Sequence, residues 1–365
     1  MSRSALVGIV VVVILVAAIG VWYATRPAPT PAPTTAPPTT TAPPATTTPP
    51  EQVTGEIDFY TSIPKTIAVE LVEAFQAKYP NIKVNLVRSG TSKILAKLAA
   101  EVESGEIIAD VVWVADPSGI INLKNQGLLM KYTPPEPKVL MYIDPDGYYV
   151  AGRIIVEVIA YNTEMVANPP QRWTDLADPA YKQNLPEEWR DAEGWCNMPN
   201  PLYSGSASAT VYGLSNTYGW DFFRNLKANG VTVVRGNTQV AEGVASGQFP
   251  VGVTLDYMVR SRKADGLPID YVFPEDGAIF IPSPIAILNT TPYPEAAKIF
   301  VDFMLSPEVQ QILAQHGIYP ARTDVDPPAG APKVTEIKSI PIDWDAMAAE
   351  LEQLRATFEE IMLRD

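Results

Sequence analysis

The stretch GEIDFYTSIPKTIAVELVEAFQAKYPNIKVNLVRSGTSKILAKLAAE, residues 55–101, decides the fold, because short β-like runs alternate in it with segments of helical periodicity. In the first helical segment, Ile67, Leu71 and Phe75 recur at the spacing of one helix face. This β-α-β-α-β order predicts an open α/β sheet whose loops gather at the carboxyl ends of the strands. The predicted elements are strands 56–62, 82–90 and 109–116 and helices 66–79 and 92–102.

A second α/β series follows the turn DPDG at 144–147. Ser306 before Pro307 is a typical helix start, because proline suits the first helical turn. The segment 186–200, which contains Cys196, is interpreted as a loop near a binding cleft. The predicted elements are strands 153–162, 231–236, 251–257 and 278–288, a helix at 238–246, and two final helices that begin at Pro294 and Pro307.

Charge and rare residues exclude several function classes. After residue 50 there are 41 acidic residues and 25 basic ones, a net charge of −16. A nucleic-acid partner needs a basic face, so none is expected. With only Cys196 and His316 available, the chain has no internal disulfide and no Cys/His zinc cluster. We interpret His316 as a cation at a helix C-terminus, and Asp144 and Asp146 as turn residues, so no catalytic group and no cofactor is predicted.

The N-terminus predicts a membrane anchor and a stalk. Residues 5–24 are uncharged and apolar, and a helix of that length spans about 30 Å, the thickness of a bilayer core. Residues 27–50 contain only Pro, Thr and Ala, a composition that cannot bury apolar area and that is expected to be extended and disordered. We therefore expect a transmembrane anchor or signal segment at 1–26, a disordered linker at 27–53, and a body held outside the cell.

Small hydrogen-bond donors crowd three predicted helix starts, SGTSK at 89–93, YSGSAS at 203–208 and GNTQ at 236–239. A helix N-terminus leaves its first backbone N–H groups free and carries partial positive charge. Glycine and serine allow an anion to approach those groups. Converging starts would bind a phosphate-like group without any basic residue, with Arg235 either assisting or forming a surface ion pair. The alternative is that each start is only a helix cap.

Five stretches carry a resemblance to a known family. They are GEIDFYTS through ADVVWVAD (55–116), VIAYNTEMV through PPQRWTDLADPAYK (158–182), PLYSGSASA (201–209), GNTQVAEGVASGQFPVGVTLDYM (236–258) and PSPIAILNTTPYPEAAKIFVDFMLSPEVQQIL (282–313). Together they resemble the type II extracellular solute-binding proteins of ABC importers, in the branch that includes ferric-ion, sugar-phosphate and phosphonate binders.

The resemblance covers about 54–365 and implies a periplasmic-binding-protein-like fold of two α/β lobes hinged by crossover strands. Lobe 1 would combine 54–153 with 282–365, and lobe 2 would be 154–281, closing on a ligand as a clamp. It also implies a monomer that is not an enzyme and that delivers a small anionic solute to permease subunits. A sensor or interaction module that kept the fold is the alternative, because fold alone does not fix function.

The resemblance also implies a site. The family positions that match YSGSAS contact the ligand, and Asn237 matches an asparagine that contacts the anion in ferric binders. The ferric binders' tandem tyrosines correspond here to Asp256 and Tyr257, and their glutamate to Ala115, next to Asp116. The candidate ligand-binding residues are Thr61, Ser62, Gly90, Thr91, Asp116, Ser204, Gly205, Ser206, Ala207, Asn237, Thr238, Asp256 and Tyr257.

Two kinds of cargo fit these residues. An aspartate beside a phosphate cradle can accept hydrogen bonds from sugar hydroxyls or pair with an ammonium group, so Asp256 favours a phosphate- or phosphonate-containing organic solute. The alternative is ferric ion with a synergistic anion, for which Tyr257, Asp256 and Asp116 would be the protein ligands.

Overall fold

The structure is a computed structural model and describes residues 49–364. Their strands form one ten-stranded mixed sheet with the order β2-β1-β3-β9-β4-β7-β5-β6, and β8 and β10 also pair with β4. The strands are β1 (Gly55–Thr61), β2 (Ile82–Arg88), β3 (Val111–Trp113), β4 (Tyr149–Asn162), β5 (Cys196–Pro199), β6 (Val231–Val234), β7 (Val251–Leu255), β8 (Ile269–Val272), β9 (Ile279–Ile287) and β10 (Tyr319–Pro320).

Helices connect most of these strands. They are α1 (Lys65–Lys78), α2 (Thr91–Ser104), α3 (Ser118–Asn125), α4 (Trp173–Ala177), α5 (Glu187–Arg190), α6 (Gly205–Tyr218), α7 (Trp220–Ala228), α8 (Asn237–Ala245), α9 (Asp256–Ala264), α10 (Pro294–Met304), α11 (Pro307–Gln315) and α12 (Trp344–Phe358).

The sheet has a parallel group at each end. β1 pairs in parallel with β2 and β3, and β5 pairs in parallel with β6 and β7. The long strand β4 and its antiparallel partner β9 connect the groups, because β9 also pairs with β3 and β4 also pairs with β7. This is the two-lobed α/β architecture with crossover strands that the family resemblance implies.

Apolar periodicity explains how the helices pack. Ile67, Leu71 and Phe75 of α1 are buried, and the Phe75 ring lies edge-on against Phe300 of α10 at 4.9 Å. Each such buried side chain contributes about 1.5–3 kcal/mol. Gly105 ends α2 with φ 77°, the left-handed conformation that glycine adopts without strain. The first two predicted helices and the first two predicted strands are therefore confirmed to within one or two residues.

Three predictions about secondary structure are wrong. The strand predicted at 251–257 ends at Leu255, and Asp256 is the first residue of helix α9. The two predicted final helices, α10 and α11, are followed by a third, α12, which contacts α3 and α6. Cys196 begins the internal strand β5 and is fully buried, so its segment is not simply a loop at a cleft.

The predicted membrane segment at 5–24 lies outside the described residues, as does the predicted linker up to residue 48. At the end of that linker, Pro50–Gln52 forms a 3-10 turn. Within 49–364, every helix is too short or too polar to cross a bilayer.

Candidate functional site

A cavity of about 350 Å³ lies between the two parallel groups of strands, and Arg153 and Ile155 of the connecting strand β4 also line it. The carboxyl ends of β1, β2 and β7 and the first turns of α2, α6 and α8 contribute to its wall. This is the position at which open α/β sheets bind ligands. Eight of the thirteen predicted site residues line it: Ser62, Gly90, Thr91, Ser204, Ser206, Asn237, Thr238 and Tyr257.

The starts of α6 and α8 meet in one polar network. Asn237 donates from Nδ2 to Ser206 Oγ at 2.7 Å and to Ser204 Oγ at 3.2 Å. Ser204 also caps its own helix by accepting from the Ala207 N–H at 3.5 Å. The starts of α2 and α8 have no side-chain cap, because glycines precede both of them. Capping therefore explains Ser204. At the other two starts, the N–H groups of Lys93 and Gln239 donate to the preceding glycine carbonyls, and the first two N–H groups of each helix are left for a ligand.

A buried arginine lies at the centre of this site. Arg153 of β4 is 2 % exposed and lines the cavity. Its Nε donates to Ser283 Oγ at 3.2 Å, and its Nη1 has no hydrogen-bond partner. Burial lowers the pKa of Arg153, and Tyr257, whose ring centroid lies 5.8 Å from the guanidinium carbon, opposes that shift. A buried guanidinium with an unused donor is well suited to bind an anion.

Two further arginines line the same cavity. Arg88 is the last residue of β2 and donates from Nε to the Ile63 carbonyl at 2.9 Å. Arg235 stacks over the Tyr203 ring, with its guanidinium carbon 4.5 Å from the centroid. The expectation of an anion cradle without basic residues is therefore wrong. Arg153 is one of two charged residues in the predicted strand 153–162, which is otherwise uncharged and mostly apolar, and sequence reasoning overlooked this signal.

Glu157 is the other charged residue of that strand. It is fully buried, and no hydrogen bond of ordinary geometry reaches either carboxylate oxygen. Desolvation raises its pKa to about 7, while Ser206 and Asn237 lie close enough to lower it in part. The site therefore holds an acid that titrates near neutral pH directly beside two cavity-lining side chains.

Buried polar atoms without a hydrogen-bond partner are concentrated at and beside the cavity. Among the described residues, buried side-chain atoms without a hydrogen-bond partner are Ser62 Oγ, Arg153 Nη1, both Glu157 oxygens and Asn237 Oδ1. Three of these four residues line the cavity, and the fourth lies beside it. Because buried polar groups are normally paired, their concentration indicates a site that a polar ligand completes.

Contacts also join the two sides of the cavity. Ser92 of α2 donates from Oγ to the Tyr203 carbonyl at 3.1 Å. Gly205 lies so close to Asp116 that a Cβ there would stand 1.8 Å from Asp116 Oδ2. These contacts link segments that the resemblance assigns to opposite lobes.

Five predicted site residues do not line the cavity: Thr61, Asp116, Gly205, Ala207 and Asp256. Thr61 donates from Oγ1 to the Trp113 carbonyl at 2.8 Å, within the core. Asp116 is buried and accepts hydrogen bonds from the backbone and side chain of Ser118 through Oδ1, and burial raises its pKa.

Asp256 has a structural partner. Its carboxylate is 1 % exposed and forms an ion pair with Arg260 one turn along α9. Burial raises the pKa of Asp256 and the Arg260 charge opposes that shift. Arg260 in turn donates from Nε to the Gly317 carbonyl at 3.0 Å. The structure therefore does not bring Asp256 to the cavity wall, because the helix start turns it toward Arg260.

The cavity offers few metal ligands. Of the three candidate ferric ligands, only Tyr257 lines it, and burial raises the pKa of this phenol. Within 49–364, no cluster of three or more His, Cys, Asp or Glu residues is arranged to hold a metal ion. The single histidine, His316, lies elsewhere, with Nε2 2.6 Å from Glu70 Oε2.

Comparison with known proteins gives a consistent result. Residues 106–350 match the family described as bacterial extracellular solute-binding protein. A Sinorhizobium fredii protein named "Probable ABC transporter periplasmic-binding protein y4fP" is 26% identical over 293 residues, which are 76% of this chain and 79% of that protein.

Solved structures share the fold. The periplasmic binding protein AfuA of Actinobacillus pleuropneumoniae, with exogenous fructose-6-phosphate bound, superposes with a TM-score of 0.75 at 23% identity, over 85% of this chain and 99% of that one. Iron-bound HitA of Pseudomonas aeruginosa gives a TM-score of 0.72 at 22% identity, over 84% and 99%. At these identities the likeness concerns the fold.

Proposed function

This chain belongs to the family of bacterial extracellular solute-binding proteins, and we propose that it captures an organic solute bearing a phosphate or phosphonate group for delivery to an ABC permease. Proteins of this family bind solutes for transport and are not enzymes.

One observation carries the choice of cargo. Arg153 is buried at the cavity with Nη1 unpaired, although an uncompensated buried charge is strongly unfavourable. The uncapped starts of α2 and α8 add their first two N–H groups as donors on the same cavity. An oxyanion would accept from all of these groups at once. Bidentate recognition by a guanidinium suits phosphate in particular.

The cavity is large enough for more than the anion. At about 350 Å³ it falls at the lower end of the range for small-molecule sites, about 300–1,000 Å³. Tyr203, Gln239 and Glu242 also line it and offer hydroxyl, amide and carboxylate groups. These groups fit the hydroxyls of a sugar, and fructose 6-phosphate, the ligand of AfuA, is the obvious probe.

The proposed motion is a clamp between 54–153 plus 282–365 and 154–281. The contacts between α2 and Tyr203, and between Asp116 and Gly205, join these two parts. An anion held by the starts of α2, α6 and α8 would favour the closed arrangement, since only that arrangement places all three around it.

The proposed attachment is an uncleaved N-terminal helix. An apolar stretch of twenty residues at 5–24 suits an anchor, and a Pro/Thr/Ala stalk at 27–50 would reach about 75 Å in polyproline geometry. The monomeric body would then remain tethered outside the cytoplasmic membrane. Its recovery in the membrane fraction, and its release on deletion of 1–26, would test this.

Ferric ion with a synergistic anion is the second candidate, favoured by Tyr257 on the cavity wall. A thermal-unfolding screen with fructose 6-phosphate, methylphosphonate, sulfate and ferric citrate separates the two. A ligand at a hundredfold excess over Kd stabilises by about 2.7 kcal/mol, or about 5 °C here. We expect this rise with the organic phosphate. A rise with ferric citrate alone, accompanied by a tyrosinate-to-iron colour, would contradict the proposal.

A further inference from the structure

Glu157 is fully buried beside the cavity, and no hydrogen bond of ordinary geometry reaches its carboxylate. It shares β4 with Arg153, and both lie on the strand that crosses between the lobes. Its side chain is fully buried, whereas Ser206 and Asn237, the groups beside it, line the cavity. Neither of its oxygens has a hydrogen bond, and neither has Asn237 Oδ1. The two Glu157 oxygens and Asn237 Oδ1 are therefore three hydrogen-bond acceptors that no donor reaches.

The charges around Glu157 are few. On β4 itself the nearest charged residue lining the cavity is Arg153, and α9 presents Asp256, which raises the pKa of Glu157 and is itself paired with Arg260. The helices α6 and α8 present the neutral Ser206 and Asn237. The strand neighbours opposite Glu157 are Leu255 and Ile279, which are apolar.

We propose, resting on the anion-binding function above, that Glu157 is a positioning residue that takes up a proton from solvent when the anion binds. As a carboxylic acid, Glu157 can donate to Asn237 Oδ1 or to Ser206 Oγ. The serine hydroxyl protons then remain available to the ligand in the cavity. As a carboxylate, Glu157 would instead attract those protons and place a second negative charge beside the anion.

The hydrogen-bond network supports this switch. Ser206 Oγ already accepts from Asn237 Nδ2 at 2.7 Å and lies 3.1 Å from Ser204 Oγ. Each serine has one proton to donate, and its direction depends on which neighbouring oxygen carries charge. A proton on Glu157 therefore determines where the hydroxyl protons of Ser204 and Ser206 point, and so whether the cavity offers them to a ligand.

The experiment measures fructose 6-phosphate binding calorimetrically between pH 7.5 and 9. A phosphate monoester, with its second pKa at about 6, stays dianionic in this window. For the wild-type protein we expect Kd to rise by up to about tenfold per pH unit, and binding at pH 8 to take up about one proton, measured in buffers of different ionisation enthalpy. For Glu157→Gln we expect a flat Kd and no proton uptake.

A matched control is Glu101→Gln. Glu101 is also buried, but it lies on α2 outside the cavity and accepts from Tyr60 at 2.7 Å, so its variant should keep the wild-type pH profile. Binding by the wild-type protein with a flat profile and no proton uptake would overturn the inference. So would a Glu157→Gln variant that keeps the pH dependence. Absence of binding at both pH 6 and pH 8 would instead remove the proposed cargo, and this inference with it.

Discussion

Gly205→Ala tests the clamp by adding one methyl group at the contact between the two sides. Gly205 is the first residue of helix α6, where alanine is favourable. The new Cβ would stand 1.8 Å from Asp116 Oδ2 and 3.0 Å from Thr91 Cγ2. Asp116 cannot easily yield, because two hydrogen bonds from Ser118 hold its other oxygen. The two sides must therefore separate by roughly 1.5 Å to reach van der Waals contact.

Overpacking of this kind costs about 1–3 kcal/mol, which we expect to appear as an affinity loss of about 5- to 150-fold. The ligand-free protein should lose less stability than affinity, because without a ligand the two sides can separate and relieve the clash. Calorimetric titration with fructose 6-phosphate and urea unfolding measure the two quantities. Asp116→Ala alone is the control, since it removes the carboxylate without adding a Cβ at Gly205.

The double variant Gly205→Ala with Asp116→Ala removes the clashing carboxylate. We expect it to recover much of the affinity that Gly205→Ala loses. An unchanged affinity in the single variant would refute the reasoning, because the two sides would then not close to the spacing seen here. Equal losses in the single and double variants would show that the effect does not pass through Asp116.

The remaining predictions concern three buried charges. Arg153→Met should weaken anion binding by about 2 kcal/mol or more, roughly thirtyfold, yet leave thermal stability unchanged or raised, because it removes a charge that lacks a full set of partners. As pH rises from 4.5 to about 7, the free energy of unfolding of the wild-type protein in urea should fall by roughly 3 kcal/mol relative to that of Glu157→Gln. The reason is that only the folded state keeps the Glu157 proton in this range. Parallel plots of unfolding free energy against pH for the two proteins would contradict it. Asp256→Ala should lower stability by about 3–5 kcal/mol, because the buried Arg260 charge loses its carboxylate and keeps only neutral acceptors, the Gly317 carbonyl and Tyr271. The anion affinity of the folded protein should change little, and a selective affinity loss would place Asp256 in the site.

Much of the fold could be predicted from the sequence, because helical periodicity and helix-end residues agree with the elements that the structure shows. Helix α1 was predicted at 66–79 and occupies Lys65–Lys78, between a proline at each end. The strand predicted at 251–257 was too long for a local reason. Helix α9 begins after Leu255, which cannot cap it, so the sequence carries no helix-start signal at Asp256. Helix α12 did carry a signal, since Asp343 accepts from the Ala346 N–H at 3.0 Å, and it was overlooked.

The candidate site could be predicted from the sequence only in part. Small donors at helix starts predicted Gly90, Ser206 and Asn237 to be neighbours, and all three line the cavity, because loops at the carboxyl ends of strands converge. The importance of Arg153 depends on its surroundings, and its partner Ser283 lies 130 residues away. A local sequence pattern shows neither the hydrogen bond from Arg153 to Ser283 nor the missing partner of Arg153 Nη1.

The most direct test is a crystal structure of the protein with fructose 6-phosphate. The account predicts the phosphate in the cavity at the starts of α6 and α8, within hydrogen-bonding distance of Arg153 Nη1 and Ser206 Oγ. A phosphate bound elsewhere, or a ferric ion on Tyr257 in the same cavity with Arg153 uninvolved, would contradict it.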